Sequence, residues 1–266
     1  MGWRGVCRSA AHVEAHDELF GIFGNRGWSE TYRAPLMVAS EFANDGSVIW
    51  ATLTNPEAGF AKAVFRRRAL TAVLVATLLS LVATALIMPA LDSEAVAGDQ
   101  LRPDMTPHER GEAIERAGKL FQVTTWATAT TRPVGSAFLL ALVLWLAFKV
   151  AGAKTGFKAT FTVAAHALLP SALKLLLAAP AALLRRPISP DQVPKLLPSS
   201  LAELLPSSLP PMALAVAHAI DLFTVWSIYL TIAGMVKASG ASWRRASLVV
   251  LVLFAASIAL FTVAPS

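Results

Sequence analysis

Cysteine is almost missing from this chain: Cys7 is the only one in 266 residues. A lone thiol excludes an intramolecular disulfide framework and any multi-cysteine zinc site. Charge is scarce as well. Charged residues make up 15% of the chain, against roughly 25% in soluble domains. Catalytic signatures are absent too: there is no G-x-S-x-G, no H-E-x-x-H, no Walker sequence and no paired-aspartate intramembrane protease pattern. The opening residues MGWRGVCRSAAHVEAHDELF contain no apolar h-region, so no secretory signal peptide is expected. Ser9 lies too far from Gly2 for N-myristoylation. The expectation is a protein without enzyme activity, metal or cofactor.

What the chain has in plenty is apolar sequence. Hydrophobic residues are 55% of the total, concentrated in runs at about 70–91, 134–152, 159–184, 211–236 and 246–264. Runs of this length read as membrane helices, so the fold class expected is an all-α, polytopic bundle of five spans. Residues 1–50 hold no such run and read as an extramembrane segment; residues 51–266 read as the transmembrane domain.

The net charge of +6 raises the question of nucleic acid. The basic residues, however, sit beside the apolar runs: Arg66, Arg67 and Arg68 before the first, Lys154 and Lys158 between the second and third, Arg244 and Arg245 before the fifth. That placement fits topology anchors on the cytoplasmic side, with the lipid bilayer as partner and no nucleic acid. It sets the N-terminus inside and the C-terminus outside, with Arg185 and Arg186 as the dissenting charges.

Ahead of the first span, Asn55, Pro56 and Glu57 form a helix start, and Phe60, Val64 and Phe65 give an apolar face. The expectation is a short helix lying on the membrane surface. Thr77, Ser80 and Thr84 make a small polar stripe along the first span, suited to helix packing. Between the first two spans, Thr106-Pro107-His108-Glu109 predicts a separate helix continuing to about Phe121. The segment 185–210 is rich in proline and carries LLPSS twice, which predicts two half-turns at the membrane surface.

The candidate chemistry lies in the third and fourth spans. His166, Pro170 and Lys174 are four apart and share one helix face; Pro170 should kink it, and the Lys174 amine should reach towards the far interface. The fourth run, PMALAVAHAIDLFTVWSIYLTIAGMV, would extend about 39 Å as one helix. It holds Asp221 near its middle and His218 three residues earlier. Asp221 and His166 come out at similar depth, roughly 10–20 Å from the cytoplasmic side. Two readings stay open. Asp221 can fix helix packing, neutral or paired with His218 or His166, or Asp221 and His166 can relay protons or hold an ion.

Three segments together, NPEAGFAKAVFRRR (Asn55–Arg68), HALLPSALKLL (His166–Leu176) and DLFTVWSIYLTIAGM (Asp221–Met235), carry a resemblance. Over about residues 52–264 the chain resembles the Yip (Ypt-interacting protein) domain family of five-span integral membrane proteins. The resemblance implies a non-enzymatic membrane protein. Eukaryotic members of the family are implicated in membrane traffic and in binding prenylated Rab-type GTPases. The Ala- and Arg-rich composition points to the prokaryotic branch and a cytoplasmic membrane. The expected function is a scaffold or adaptor that binds another membrane protein or a second copy of itself; the alternative is a small transporter or permease subunit using an Asp/His pair.

Overall fold

The computed structural model describes residues 46–66, 69–206 and 208–263. Arg67 and Arg68, and nearly all of the N-terminal segment, lie outside the described residues. All regular elements among the described residues are helical. Among the described residues, five helical stretches are long and apolar enough to cross a membrane: Ala69–Ala90, Pro107–Val150, Phe157–Leu184, Leu222–Ser239 and Trp243–Leu260.

The described chain begins with a helical hairpin, α1 (46–54) and α2 (Pro56–Arg66). Asn55 turns between them and its Oδ1 accepts from the Ala58 N–H at 3.4 Å. Gly59 presses α2 onto the Thr52 backbone and leaves no room for a side chain there. The expected surface helix is corrected here. Thr52, Phe60 and Ala63 are fully buried, and Phe60 enters the same cluster as Val163 of the third span and Leu230, Ala233 and Met235 of the fourth. An aromatic ring at the centre of that face gains more by burial than by lying on a lipid surface beside charged groups.

Helix α3 (Ala69–Ile87) lines one side with Ala69, Ala72, Val73 and Ala76, then Ala83 and Ile87. These face alanines of the third span, including Ala172, Ala178, Ala179 and Ala182. Small residues on both sides let two backbones approach closely, which is the usual source of attraction between helices in lipid. The short α4 (Ser93–Ala97) follows, capped by Asp92.

Helix α5 runs from Pro107 to Val150, 44 residues without a break. Thr106 and Glu109 form the reciprocal capping box that the sequence announces. The expected gap between a loop helix and the second span does not occur. Pro133 sits inside α5, and the helix continues through it although the Thr-rich run before it and Val134-Gly135-Ser136 after it are weak helix formers, so packing rather than propensity carries the helix here. Gly152, at φ 77°, ends the helix: its N–H reaches Lys149 O at 3.0 Å and the Ala153 N–H reaches Phe148 O at 2.8 Å.

The third span is two helices, α6 (Phe157–Ala167) and α7 (Leu169–Leu184), parted at Leu168 just before Pro170. The proline-rich segment that follows forms two 3₁₀ turns, Pro190–Lys195 and Leu201–Leu204. Of its leucines, Leu196 packs under α7 while Leu204 stays exposed.

The fourth run is also divided, and this corrects the single 26-residue helix. α8 (Pro211–Ala219) stops, Ile220 and Asp221 are extended, and α9 (Leu222–Ser239) begins anew. The break has a backbone cause. Leu201 N–H binds Ile220 O at 2.8 Å and Leu222 N–H binds Ser199 O at 3.1 Å, so an isolated bridge holds Asp221 against Ser200. Helix α10 (Trp243–Val263) completes the bundle.

Candidate functional site

The division at Asp221 decides what that carboxylate does. Its backbone is extended (φ −125°, ψ 167°), and Oδ1 accepts the Thr224 N–H at 2.7 Å, so Asp221 is the N-cap of α9. A negative charge at that end also meets the positive pole of the helix dipole. The other oxygen, Oδ2, lies 2.6 Å from Lys174 Nζ on α7. The Asp221 side chain is 8% exposed and that of Lys174 26%. Two opposite charges in apolar surroundings thus neutralise each other, and one of them starts a helix while doing so. Joining α7 to α9, the pair is a clamp between the third and fourth spans.

The other candidates are dispersed. His166 is fully buried in α6, where Nδ1 lies 2.8 Å from the Thr162 carbonyl and Nε2 has no hydrogen-bond partner. Its ring meets Phe60 edge-on at 5.8 Å. The expected His166–Asp221 pair is therefore not formed: both Asp221 oxygens are held by Lys174 and Thr224. His218 lies exposed in the last turn of α8, with Nδ1 3.4 Å from Ser200 Oγ. No hydrogen bond joins it to Asp221, because the helix stops and the chain is extended at Ile220 and Asp221 between α8 and α9. The Lys174 amine, expected to reach towards the far interface, ends on the Asp221 carboxylate.

Lys154 and Lys158 precede and open α6, and Arg244 and Arg245 stand in the first turn of α10. Phe148 of α5, Met235 of α9 and Ala246 of α10 share one apolar cluster, so these two connections gather at one end of the bundle. Lys149 lies there too, with Nζ 4.4 Å from the Trp145 ring centroid. No group of three metal-ligating side chains occurs among the described residues.

The Lys174–Asp221 pair was missed at the level of sequence, although a signal was there. These are isolated charges of opposite sign in long apolar runs, and in lipid such charges seek each other.

A family model described as the Yip1 domain matches residues 50–264. The chain belongs to the Yip1-domain family. No curated protein and no solved structure matches it. The Yip1-domain match begins inside α1 and ends with α10, so the clamp and all but the first four residues of the docked hairpin lie within it. As a Yip1-domain protein with five apolar helices, the chain is a multi-pass membrane protein in contact with the lipid bilayer.

Proposed function

We propose that this Yip1-domain protein is a non-enzymatic scaffold or adaptor of a prokaryotic cytoplasmic membrane, and that it binds another membrane protein through α10. One observation carries the reading: the fifth apolar stretch has 11% of its residues buried, against 22–39% in the other four. Leu248, Leu251 and Val252 stand exposed along it. A helix so lightly held offers its long sides to another helix without disturbing the bundle. The saturated state of Asp221 supports the same view, since the carboxylate organises helices rather than awaiting a solute. The transporter reading depended on Asp221 beside His166 and is not proposed. The basic end that holds Lys154, Lys158, Arg244 and Arg245 is assigned to the cytoplasm by the positive-inside rule, as are Arg66, Arg67 and Arg68; that sets the C-terminus outside.

The test is purification of the full chain from native membranes in mild detergent, with mass spectrometry of whatever co-purifies in stoichiometric amount. A reproducible membrane-protein partner that is lost from a Leu248→Ala/Leu251→Ala/Val252→Ala variant is the expected result. A partner-free species from wild-type membranes overturns the proposal.

A further inference from the structure

A crevice of about 670 Å³ opens between α3, α5 and α7. Two cations line it, Arg132 and Lys174, and no carboxylate does. Lys174 is already neutralised by Asp221. Arg132 is not: among the described residues no ion pair or hydrogen bond holds its guanidinium. The crevice therefore carries one uncompensated positive charge.

Hydroxyls line the same crevice. Thr128 and Ser136 stand one turn before and one turn after Arg132 on the same face of α5, while Thr84 and Ser171 line the wall from α3 and α7. Ser80 returns its proton to the Ala76 carbonyl at 2.9 Å. Thr84, Thr128, Ser136 and Ser171 make no side-chain hydrogen bond among the described residues, so their protons are free to donate. Most of the remaining lining is apolar, with Ile87, Met88, Leu91, Leu175 and Leu197 among it.

The level of the site is set by the clamp. α9 is 18 residues long, or about 27 Å, close to the thickness of a hydrocarbon core. Asp221 caps its first turn, and Lys174, which Asp221 holds, lines the crevice. Lys174 thus stands at the end of a membrane-length helix, where the phosphates of a lipid leaflet lie, and Arg132 is likewise about 27 Å from the Val150 end of α5.

We propose that this crevice binds one glycerophospholipid of net negative headgroup charge. Its phosphate takes a charge-assisted pair of bonds from Arg132 and further bonds from the free hydroxyls of Thr128 and Ser136. Its acyl chains run along the leucine and methionine walls. The absence of a lining carboxylate disfavours a headgroup that brings its own ammonium, and the apolar walls favour a lipid over a free anion. The site needs no partner protein, so it stands apart from the adaptor reading.

The experiment uses the full chain, delipidated in mild detergent and titrated with dioleoylphosphatidylglycerol, dioleoylphosphatidylcholine or sodium phosphate, with adducts counted by native mass spectrometry. A single phosphatidylglycerol should be retained at least about tenfold more tightly than phosphatidylcholine, and equimolar phosphate should not displace it. Arg132→Ala should weaken it about tenfold and Arg132→Lys much less. Thr128→Val with Ser136→Ala leaves the guanidinium in place and should cost about threefold. Equal retention of both lipids overturns the proposal, as does unchanged affinity in Arg132→Ala or in the Thr128/Ser136 double variant. Displacement by phosphate would assign the site to a free anion and overturn the lipid.

Discussion

A β-carbon on Gly234 would stand 2.5 Å from Val163 Cγ1 and 3.0 Å from Phe60 Cε1. Helix α9, helix α6 and the N-terminal hairpin therefore meet at a point where only a hydrogen fits on Gly234.

Gly234→Ala is expected to destabilise the bundle by about 1–3 kcal/mol through overpacking. Thermal unfolding in detergent, followed by tryptophan fluorescence, measures it. Val163→Ala removes both crowding methyl groups, so the double variant should recover part of the loss. Melting of Gly234→Ala at the wild-type temperature would sink the packing argument.

Asp221→Asn keeps an N-cap for α9 but strips the charge that Lys174 faces. The single change should cost about 2–3 kcal/mol, somewhat below a fully buried pair because Lys174 is partly exposed. Lys174→Met should cost a similar amount. Joining the two should bring stability back towards wild type, since neither charge is then left alone. Strictly additive losses in a double-mutant cycle would show that the pair is not coupled.

Phe60→Ala removes the ring that seats the hairpin against α6 and α9. A loss of about 3 kcal/mol is expected from the cavity and the lost burial. The more specific readout is local. Amide exchange across 46–66 should accelerate well before that of α6 or α9, and unchanged protection would contradict a docked hairpin.

Thr106→Ala breaks the capping box of α5. The loss should be about 1 kcal/mol and confined to the first turns, where the box satisfies two backbone donors. Faster exchange near Arg110–Glu112 with an unchanged global melting temperature is the expected pattern. A large drop in melting temperature would mean that the cap stabilises more than its own helix end.

Fold class was legible because twenty-residue apolar runs have few other uses, and the capping box at Thr106 was legible because its residues are adjacent in the chain. The unbroken α5 was not: Arg132-Pro133 reads locally as a boundary, and only the helix on either side overrides it. The break at Asp221 was hidden for a different reason. Its cause is a backbone bridge to Ser200, some twenty residues away across a proline-rich stretch, and periodicity cannot register a contact of that kind. Lys174 and Asp221 were each singled out, yet their partnership spans 47 positions and depends on how α7 meets α9. The burial of Phe60 was concealed by the basic residues beside it, which made the segment look superficial.

At 1.5 Å per residue, α5 is about 66 Å long, while a hydrocarbon core takes up about 30 Å. Roughly half of this helix must therefore stand clear of the lipid as a mast, stepped into the bundle at Ala137, Ala141 and Leu144 and carrying Glu109, Glu112 and Glu115 near its tip. A stiff rod held deep in the bundle, and braced nearer its tip by α4 where Arg110 pairs with Glu94 at 3.1 Å, is a lever. Force applied to the tip reaches the buried alanines as tilt, so whatever touches the charged turns outside the membrane also addresses the packing within it.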